Sequence, residues 1–344
     1  MSLSIGIIGL PNVGKSTLFK ALTKKQVAIA SFPFTTIEPN IAPVPVPDER
    51  LEKISKVIKP EKTTPTFIEF VDIAGLVKGA HKGEGLGNQF LAHIQGCQAL
   101  LEVVRGFKKE EITHIEKTIN PKRDIEIVRE ELLRKDQKII ETALNHCQKE
   151  IKAGNKKAEK LLSLLEKIAK ALSERKMIRE LSLSSEELSQ IRQYQFLTAK
   201  PILFLLNINS QSFKVSNFEG EIIDLKWEQE LSELSEQELK EIRAQSLLDR
   251  IIIKCYNLLD LITFYTIVGL KEVRAWAVKR GTKPPQAGRK VHSDFEEKFI
   301  KAEVLPWQEL IKTGSWQKAK EKGLVKTVGR EYIIQDGDII EFKI

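Results

Sequence analysis

An α/β architecture is predicted for this 344-residue chain: a mostly parallel sheet, interrupted by a long helical insertion and followed by a smaller α+β module. Three observations predict it. The apolar run Ser4-Ile-Gly-Ile-Ile8 leads directly into Gly9-Leu-Pro-Asn-Val-Gly14-Lys15-Ser16-Thr17, a complete G-x-x-x-x-G-K-[ST] phosphate loop set between a strand and a helix. Further apolar runs at 67–71, 100–104 and 201–206 have the length and composition of parallel strands, the last of them apolar throughout as a central strand is. Between the last two, the composition shifts to long, charged helix formers, and from Asp260 onward it shifts again to short strands with turns.

Each element follows from its own pattern. Residues 32–39 and the proline-broken stretch through Pro47 suit a mobile loop, where a nucleotide-sensing switch would sit. A helix is expected over 88–94. From Arg123, the positions Ile125, Val128, Leu132, Ile139, Ala143, Cys147 and Ile151 recur at steps of three and four, as do Leu161, Leu165, Ile168 and Leu172. Gly154-Asn155 breaks the pattern, so an antiparallel helical hairpin is expected, its first arm reaching roughly 40 Å. Its tip, 151–180, carries nine Lys or Arg against four Asp or Glu, a balance that favours an RNA-facing role. Residues 235–259 read as a closing helix. Asp336-Gly337 between Tyr332-Ile-Ile334 and Ile339-Ile-Glu-Phe342 predicts a hairpin. Within the last module, 271–290 holds seven Lys or Arg and one Glu around Trp276, which suits an RNA contact. The expected domains are 1–120 with 197–259 for the nucleotide, 121–196 for the helical insertion, and 260–344 for the C-terminal module.

Composition narrows the class. A net charge of +8 permits a nucleic-acid partner without implying DNA specificity. The three cysteines, Cys97, Cys147 and Cys255, have neither the spacing of a zinc site nor the number of a disulfide framework. Met1 runs straight into the first strand, and no apolar stretch nears the roughly 20 residues of a membrane helix. A cytoplasmic protein with no membrane partner is expected.

The chemistry centres on phosphate. Backbone amides from Asn12 through Val13, Gly14, Lys15, Ser16 and Thr17 form a nest for anionic oxygens, reinforced by the positive end of the following helix. The Lys15 ammonium serves the outer phosphates and the Ser16 hydroxyl ligates Mg²⁺. The second signature is the strand 67–71 ending in Asp72-Ile-Ala-Gly75. Asp72 would hold Mg²⁺ through water, Gly75 would sense the γ-phosphate, and Thr36 supplies a further Mg²⁺ ligand. Leu76 stands where a water-orienting glutamine is often found. Hydrolysis is therefore expected to be slow, to use a group from elsewhere such as His81 or His114, or to await a partner. Asn12 suggests K⁺ as an additional cofactor. At the end of the 201–206 run, Asn207-Ile208-Asn209-Ser210 occupies the base-reading position. Ser210 lacks the carboxylate that selects guanine, whereas Asn207 matches the donor and acceptor pattern of adenine.

These residues resemble the YchF or Obg-like ATPase (EngD) family of TRAFAC-class P-loop proteins. The resemblance runs over essentially the full length through 9–17, 32–40, Asp72 to Asn88, Asn120-Pro-Lys-Arg-Asp-Ile-Glu126, and 260–265 on to 335–338. It implies a Ras-like nucleotide domain, a coiled-coil insertion and a C-terminal TGS domain of ubiquitin-like β-grasp fold. It also implies preference for ATP over GTP, Mg²⁺-dependent hydrolysis, and association with the ribosome and its RNA. A histidine assigned to hydrolysis in the family falls on His114. Two departures stand out: Ser210 replaces the family's glutamate, which makes dual ATP and GTP use credible, and 211–227 is short and irregular for the loop that completes the base pocket in the family; Thr35 stands where some relatives carry a cysteine. Expected is a slow ATP-hydrolysing switch. The other readings are a nucleotide-gated RNA adaptor with negligible turnover and a true GTPase of ribosome assembly.

Overall fold

The apolar runs at Ser4–Ile8 and Ala99–Arg105 form strands buried along their length, whereas Phe67–Asp72 alternates between buried and half-buried positions over most of its length and Ile202–Asn207 is buried over its second half. The computed structural model describes residues 3–29, 40–72, 94–108, 114, 116, 118–155, 157–209, 218–242 and 246–344. The loop 32–39 with Thr35 and Thr36, the stretch from Ile73 to Asn88 with Gly75, Leu76 and His81, and Ser210 lie outside these residues, as does most of the helix expected over 88–94. Along the chain come β1 (Ser4–Ile8), α1 (Lys15–Ile29), β2 (Ile41–Pro45), α2 (Glu49–Ile58), β3 (Lys62–Thr64), β4 (Phe67–Asp72) and β5 (Ala99–Arg105). Then follow α3 (Pro121–Lys152), α4 (Lys157–Ser173), β6 (Ile202–Asn207), β7 (Glu221–Ile223), α5 (Leu225–Leu231) and α6 (Leu248–Leu258). The last part holds β8 (Leu261–Val268), β9 (Glu272–Lys279), α7 (Pro284–Val291), β10 (Lys301–Pro306), α8 (Trp307–Thr313), α9 (Trp316–Glu321), β11 (Lys326–Val328) and β12 (Asp338–Lys343).

Two compact units emerge, Met1–Pro43 with Glu69–Ile251, and Val44–Ile68 with Ile252–Ile344. The first is built on a sheet of order β2-β4-β1-β5-β6-β7. β4 and β5 flank β1 in parallel, β6 lies parallel to β5, and β7 parallel to β6. The phosphate loop after β1, Asp72 at the end of β4 and Asn207 at the end of β6 therefore share one edge, the carboxyl end where α/β sheets bind ligands. Residues 41–45, read from their prolines as loop, form β2. The segment 211–227 carries β7 and the start of α5, and 235–259 is divided into helices Glu236–Glu241 and α6 rather than being one helix.

The helical hairpin is present as α3 and α4 with the break at Gly154, whose φ of 89° suits only glycine well. α3 starts where Asn120 accepts from the Arg123 amide and Pro121 takes the first helical position. At 32 residues it is about 48 Å long. Val128, Leu132, Ala143 and Cys147 are buried as expected, but Ile125, Ile139 and Ile151 are only half-buried and the buried stripe runs through Leu133, Asp136 and Ile140 instead. Asp136 explains part of this rotation. Its carboxylate accepts from the amides of Leu197 and Thr198 at 2.9 and 2.7 Å and from the Thr198 hydroxyl at 2.7 Å, anchoring the chain as it returns toward β6.

The second unit is a mixed sheet of order β11-β10-β12-β8-β9-β3. β8 and β9 form an antiparallel hairpin, β12 runs parallel to β8, and β10 pairs antiparallel with both β11 and β12. Alternation along β8 sends Ile262 and Phe264 into one core with Val304 and Phe342, and Tyr265 into another with Leu305, Leu310 and Ile339. Leu51 and Ile54 of α2 complete the second core, and β3 adds to the sheet edge beside β9. Residues 44–68, sequentially inside the nucleotide domain, thus pack with the C-terminal module. The hairpin expected at Asp336-Gly337 does not form, because residues 332–334 are not a strand. Asp336 instead accepts from the Thr263 amide and from Arg50, and the Gly337 amide donates to the Thr263 carbonyl. This pair leads the chain into β12.

Candidate nucleotide site

The loop between β1 and α1 folds tightly because two glycines permit close approach. Gly9 has φ 141°, and a Cβ there would lie 2.3 Å from the Val103 carbonyl oxygen. Gly14 has φ 109°, and its Cβ would lie 2.4 Å from Nδ2 of Asn207. Asn12 also takes a positive φ of 63°. α1 begins at Lys15, so its free amides and the positive end of its dipole face the loop.

Lys15 is 7% exposed, and its ammonium donates to the carbonyls of Leu10 at 2.7 Å and Gly9 at 3.1 Å. Burial lowers its pKa to about 8, against the opposing pull of the Asp72 carboxylate. Lys15 and Asp72 are thereby within electrostatic reach of each other. Asp72 is the register partner of Ile7, and its amide donates to the Asn40 carbonyl. Val13 is buried, Ser16 is exposed and Thr17 is half-buried. Among the described residues, no three His, Cys, Asp or Glu side chains gather as a metal site. The donors that are present near the loop, a hydroxyl and a carboxylate, are the hard oxygen ligands that Mg²⁺ takes while retaining several waters.

Asn207 is engaged by main chain at both ends of its amide. Nδ2 donates to the Val13 carbonyl at 2.9 Å, and Oδ1 accepts from the Leu225 amide at 3.1 Å. The residue whose amide pattern matches adenine is here a tether, joining the phosphate loop to the start of α5. Ile208 follows it, its amide donating to Ile223, and Asn209 donates from Nδ2 to the Lys108 carbonyl. Sequence reasoning missed the part of Leu225. Its one signal is Asp224, whose carboxylate caps α5 through the Lys226 and Trp227 amides and marks the helix start.

Relatives that this chain resembles along its length decide the family. It is 42% identical to the ribosome-binding ATPase YchF of Escherichia coli O157:H7 over 360 residues, 99% of each chain. It is 41% identical to the ribosome-binding ATPase YchF of Bacillus subtilis over 364 residues, 100% of this chain and 99% of that one. The chain belongs to the YchF family. Residues 4–166 match the family described as 50S ribosome-binding GTPase, and 261–344 match the YchF GTPase C-terminal family, described as a protein of unknown function. The solved structure of the Schizosaccharomyces pombe YchF GTPase is 35% identical, with a TM-score of 0.87, covering 99% of this chain and 98% of that one. The fold is thus a P-loop GTPase domain with a long helical insert and a C-terminal β domain. Among the described residues, no helix is long and apolar enough to cross a membrane.

His114, the histidine that the family resemblance singles out, is 6% exposed. Its Nδ1 accepts from the Glu116 amide at 3.1 Å, so the neutral ring carries its proton on Nε2. Nε2 then donates to Oδ2 of Asp124 at 2.9 Å, while the other oxygen of Asp124 accepts from Arg123. Both ring nitrogens are occupied, and the cap Asn120-Pro121 is what sets Asp124 in the first turn of α3 to receive the ring.

Proposed function

We propose that this chain is a slow ATP-hydrolysing molecular switch of the cytoplasm that associates with the ribosome. The observation that carries the proposal is the grouping of the phosphate-loop amides, the Lys15 ammonium and Asp72 at one sheet edge. The ribosome and the choice of ATP rest on the names of the relatives, ribosome-binding ATPases at 41 to 42% identity. GTP is the second reading, favoured by the 50S ribosome-binding GTPase family matched by residues 4–166.

In this account, the amides of Asn12 to Thr17 hold the phosphate oxygens, and Lys15 exchanges the Gly9 and Leu10 carbonyls for the β and γ phosphates. Ser16, Thr36 and, through water, Asp72 would hold Mg²⁺, which neutralises charge on the transferring phosphate. Gly75 senses the γ-phosphate. Asn207 keeps the phosphate loop and α5 in register and Ile208 borders the base. Hydrolysis with His114 as the water-orienting group requires the ring to part from Asp124, which accords with slow turnover. Asn12, with its strained backbone, would contribute to a K⁺ site, so exchange of K⁺ for Na⁺ should reduce turnover. Phosphate release from ATP and GTP, measured with and without ribosomes, tests the reading. Turnover of ATP that disappears in Lys15→Ala supports it. Absent turnover in both conditions overturns the enzyme.

A further inference from the structure

One face of α3 borders an open groove. Ile139, on the stripe expected to be core, is instead half-buried, and it lies in a groove of about 450 Å³ with Lys135, Lys138, Thr142, Ala143, His146 and Tyr194. The floor is apolar and aromatic. Tyr194 is half-buried, and behind it the buried Phe196 ring is tilted against it at 5.5 Å between centroids. The rim is basic. Among the described residues, the lining includes no carboxylate, and Glu150 Oε1 lies 3.9 Å from His146 Nδ1. Lys135, Lys138, Thr142 and His146 follow one another at three- and four-residue steps, which places them on one face of the helix over about 16 Å.

We propose that this groove binds single-stranded RNA, with a base seated on Tyr194 and the flanking phosphates on Lys135 and Lys138. The volume is of the size that takes a small aromatic ligand. An aromatic platform beside a line of cations is the combination by which unpaired nucleic acid is held, stacking on the ring and charge pairing along the backbone. The rival platform in the C-terminal module is already occupied. There Trp276 stacks on Phe264 at 6.4 Å, donates to Thr266 and carries the Arg274 guanidinium 4.1 Å from its ring centroid. Among the described residues, the ring contact of Tyr194 is with Phe196. The proposal deepens the ribosome-associated reading and rests on it, because it names the RNA class that the helical insertion contacts.

The test uses the full chain and a short fluorescein-labelled single-stranded RNA followed by anisotropy across a salt series. Tyr194→Ala should weaken binding at least about fivefold, and Tyr194→Phe should retain it. Lys135→Gln with Lys138→Gln should lower the slope of log affinity against log salt by about 1.4. Nucleotide binding should be unchanged in all three variants, which confirms folding. Wild-type affinity in Tyr194→Ala together with a wild-type salt slope in the double lysine variant would overturn the groove, as would equal affinity for a duplex of the same length or displacement by an acidic peptide as effective as unlabelled RNA. Ribosome pelleting separates the two claims. If RNA affinity survives Tyr194→Ala and pelleting persists, the groove is refuted and the switch stands. If the wild-type chain does not pellet with ribosomes, the ribosome reading fails independently.

Discussion

Replacing Asn207 with alanine distinguishes a tether from a base reader. The substitution leaves the Val13 carbonyl without its donor and the Leu225 amide without its acceptor, at a position buried between them. Each unsatisfied buried group costs about 1–3 kcal/mol, and water entering the space left by the side chain recovers part of it. A total of about 2–4 kcal/mol follows, divided between folding of the unit and order in the phosphate loop. If only about 2 kcal/mol falls on nucleotide affinity, binding weakens roughly 30-fold. Asn207→Asp retains the acceptor for Leu225 but sets an oxygen against the Val13 carbonyl, so it should be no better than alanine. The assay is titration of the nucleotide-free chain with fluorescent ATP and GTP analogues, alongside thermal unfolding. A tether acts on the phosphate loop, which both nucleotides share, so both affinities should fall by the same factor. Loss for ATP with GTP unaffected would refute the tether and return Asn207 to the base.

Other expectations follow from individual contacts. Lys15 titrates near 8 because burial disfavours its charge. Phosphate binds the protonated form and holds it above that value, so affinity should be flat below pH 8 and fall by up to about tenfold per unit above it. Calorimetry in buffers of different ionisation enthalpy should show proton uptake above pH 8, and a flat profile with no uptake would contradict the buried ammonium. Asp124→Asn keeps the shape but weakens the acceptor that holds His114 Nε2, so the ring should part more readily. Turnover should rise if release of the ring limits hydrolysis, and an unchanged rate in a folded variant would exclude that step. Asp136→Ala leaves three donors unsatisfied at 2.7–2.9 Å. It should destabilise the nucleotide unit by about 3 kcal/mol or more in denaturant unfolding, and a loss below about 1 kcal/mol would mean that the return segment has another anchor.

The parts of the fold that were legible in the sequence are those whose signal is local. The phosphate loop announces itself because Gly9 and Gly14 are required where a Cβ would strike Val103 and Asn207. The buried parallel strands read as unbroken apolar runs, and Gly154 marks the turn of the helical hairpin. What was missed depends on partners distant in the chain. The signals for α2 were present, an Asp48 cap, acids in the first turn, and Leu51 and Ile54 spaced for one face. The proline-broken stretch through Pro47, just before them, drew the reading toward a loop. Nothing local says that this face packs beside Tyr265 and Leu305, more than 200 positions away. Asp336-Gly337 failed as a hairpin for the same reason, since its hydrogen bonds go to Thr263 on another strand. At the site, residue types identified Asn207, Lys15 and Asp72. Only the geometry disclosed that the amide of Asn207 is engaged on both sides and that His114 is held by Asp124.

In the proposed switch, the nucleotide bound at the Lys15 loop governs association with the ribosome. Its most direct test is co-sedimentation of the chain with ribosomes in saturating ADP, in a non-hydrolysable ATP analogue, and without nucleotide, using Lys15→Ala as the control. The account predicts affinities that differ by about tenfold or more, about 1.4 kcal/mol, between the ADP and ATP-analogue states, and a Lys15→Ala variant that no longer responds to nucleotide. Equal pelleting in all three conditions would contradict it.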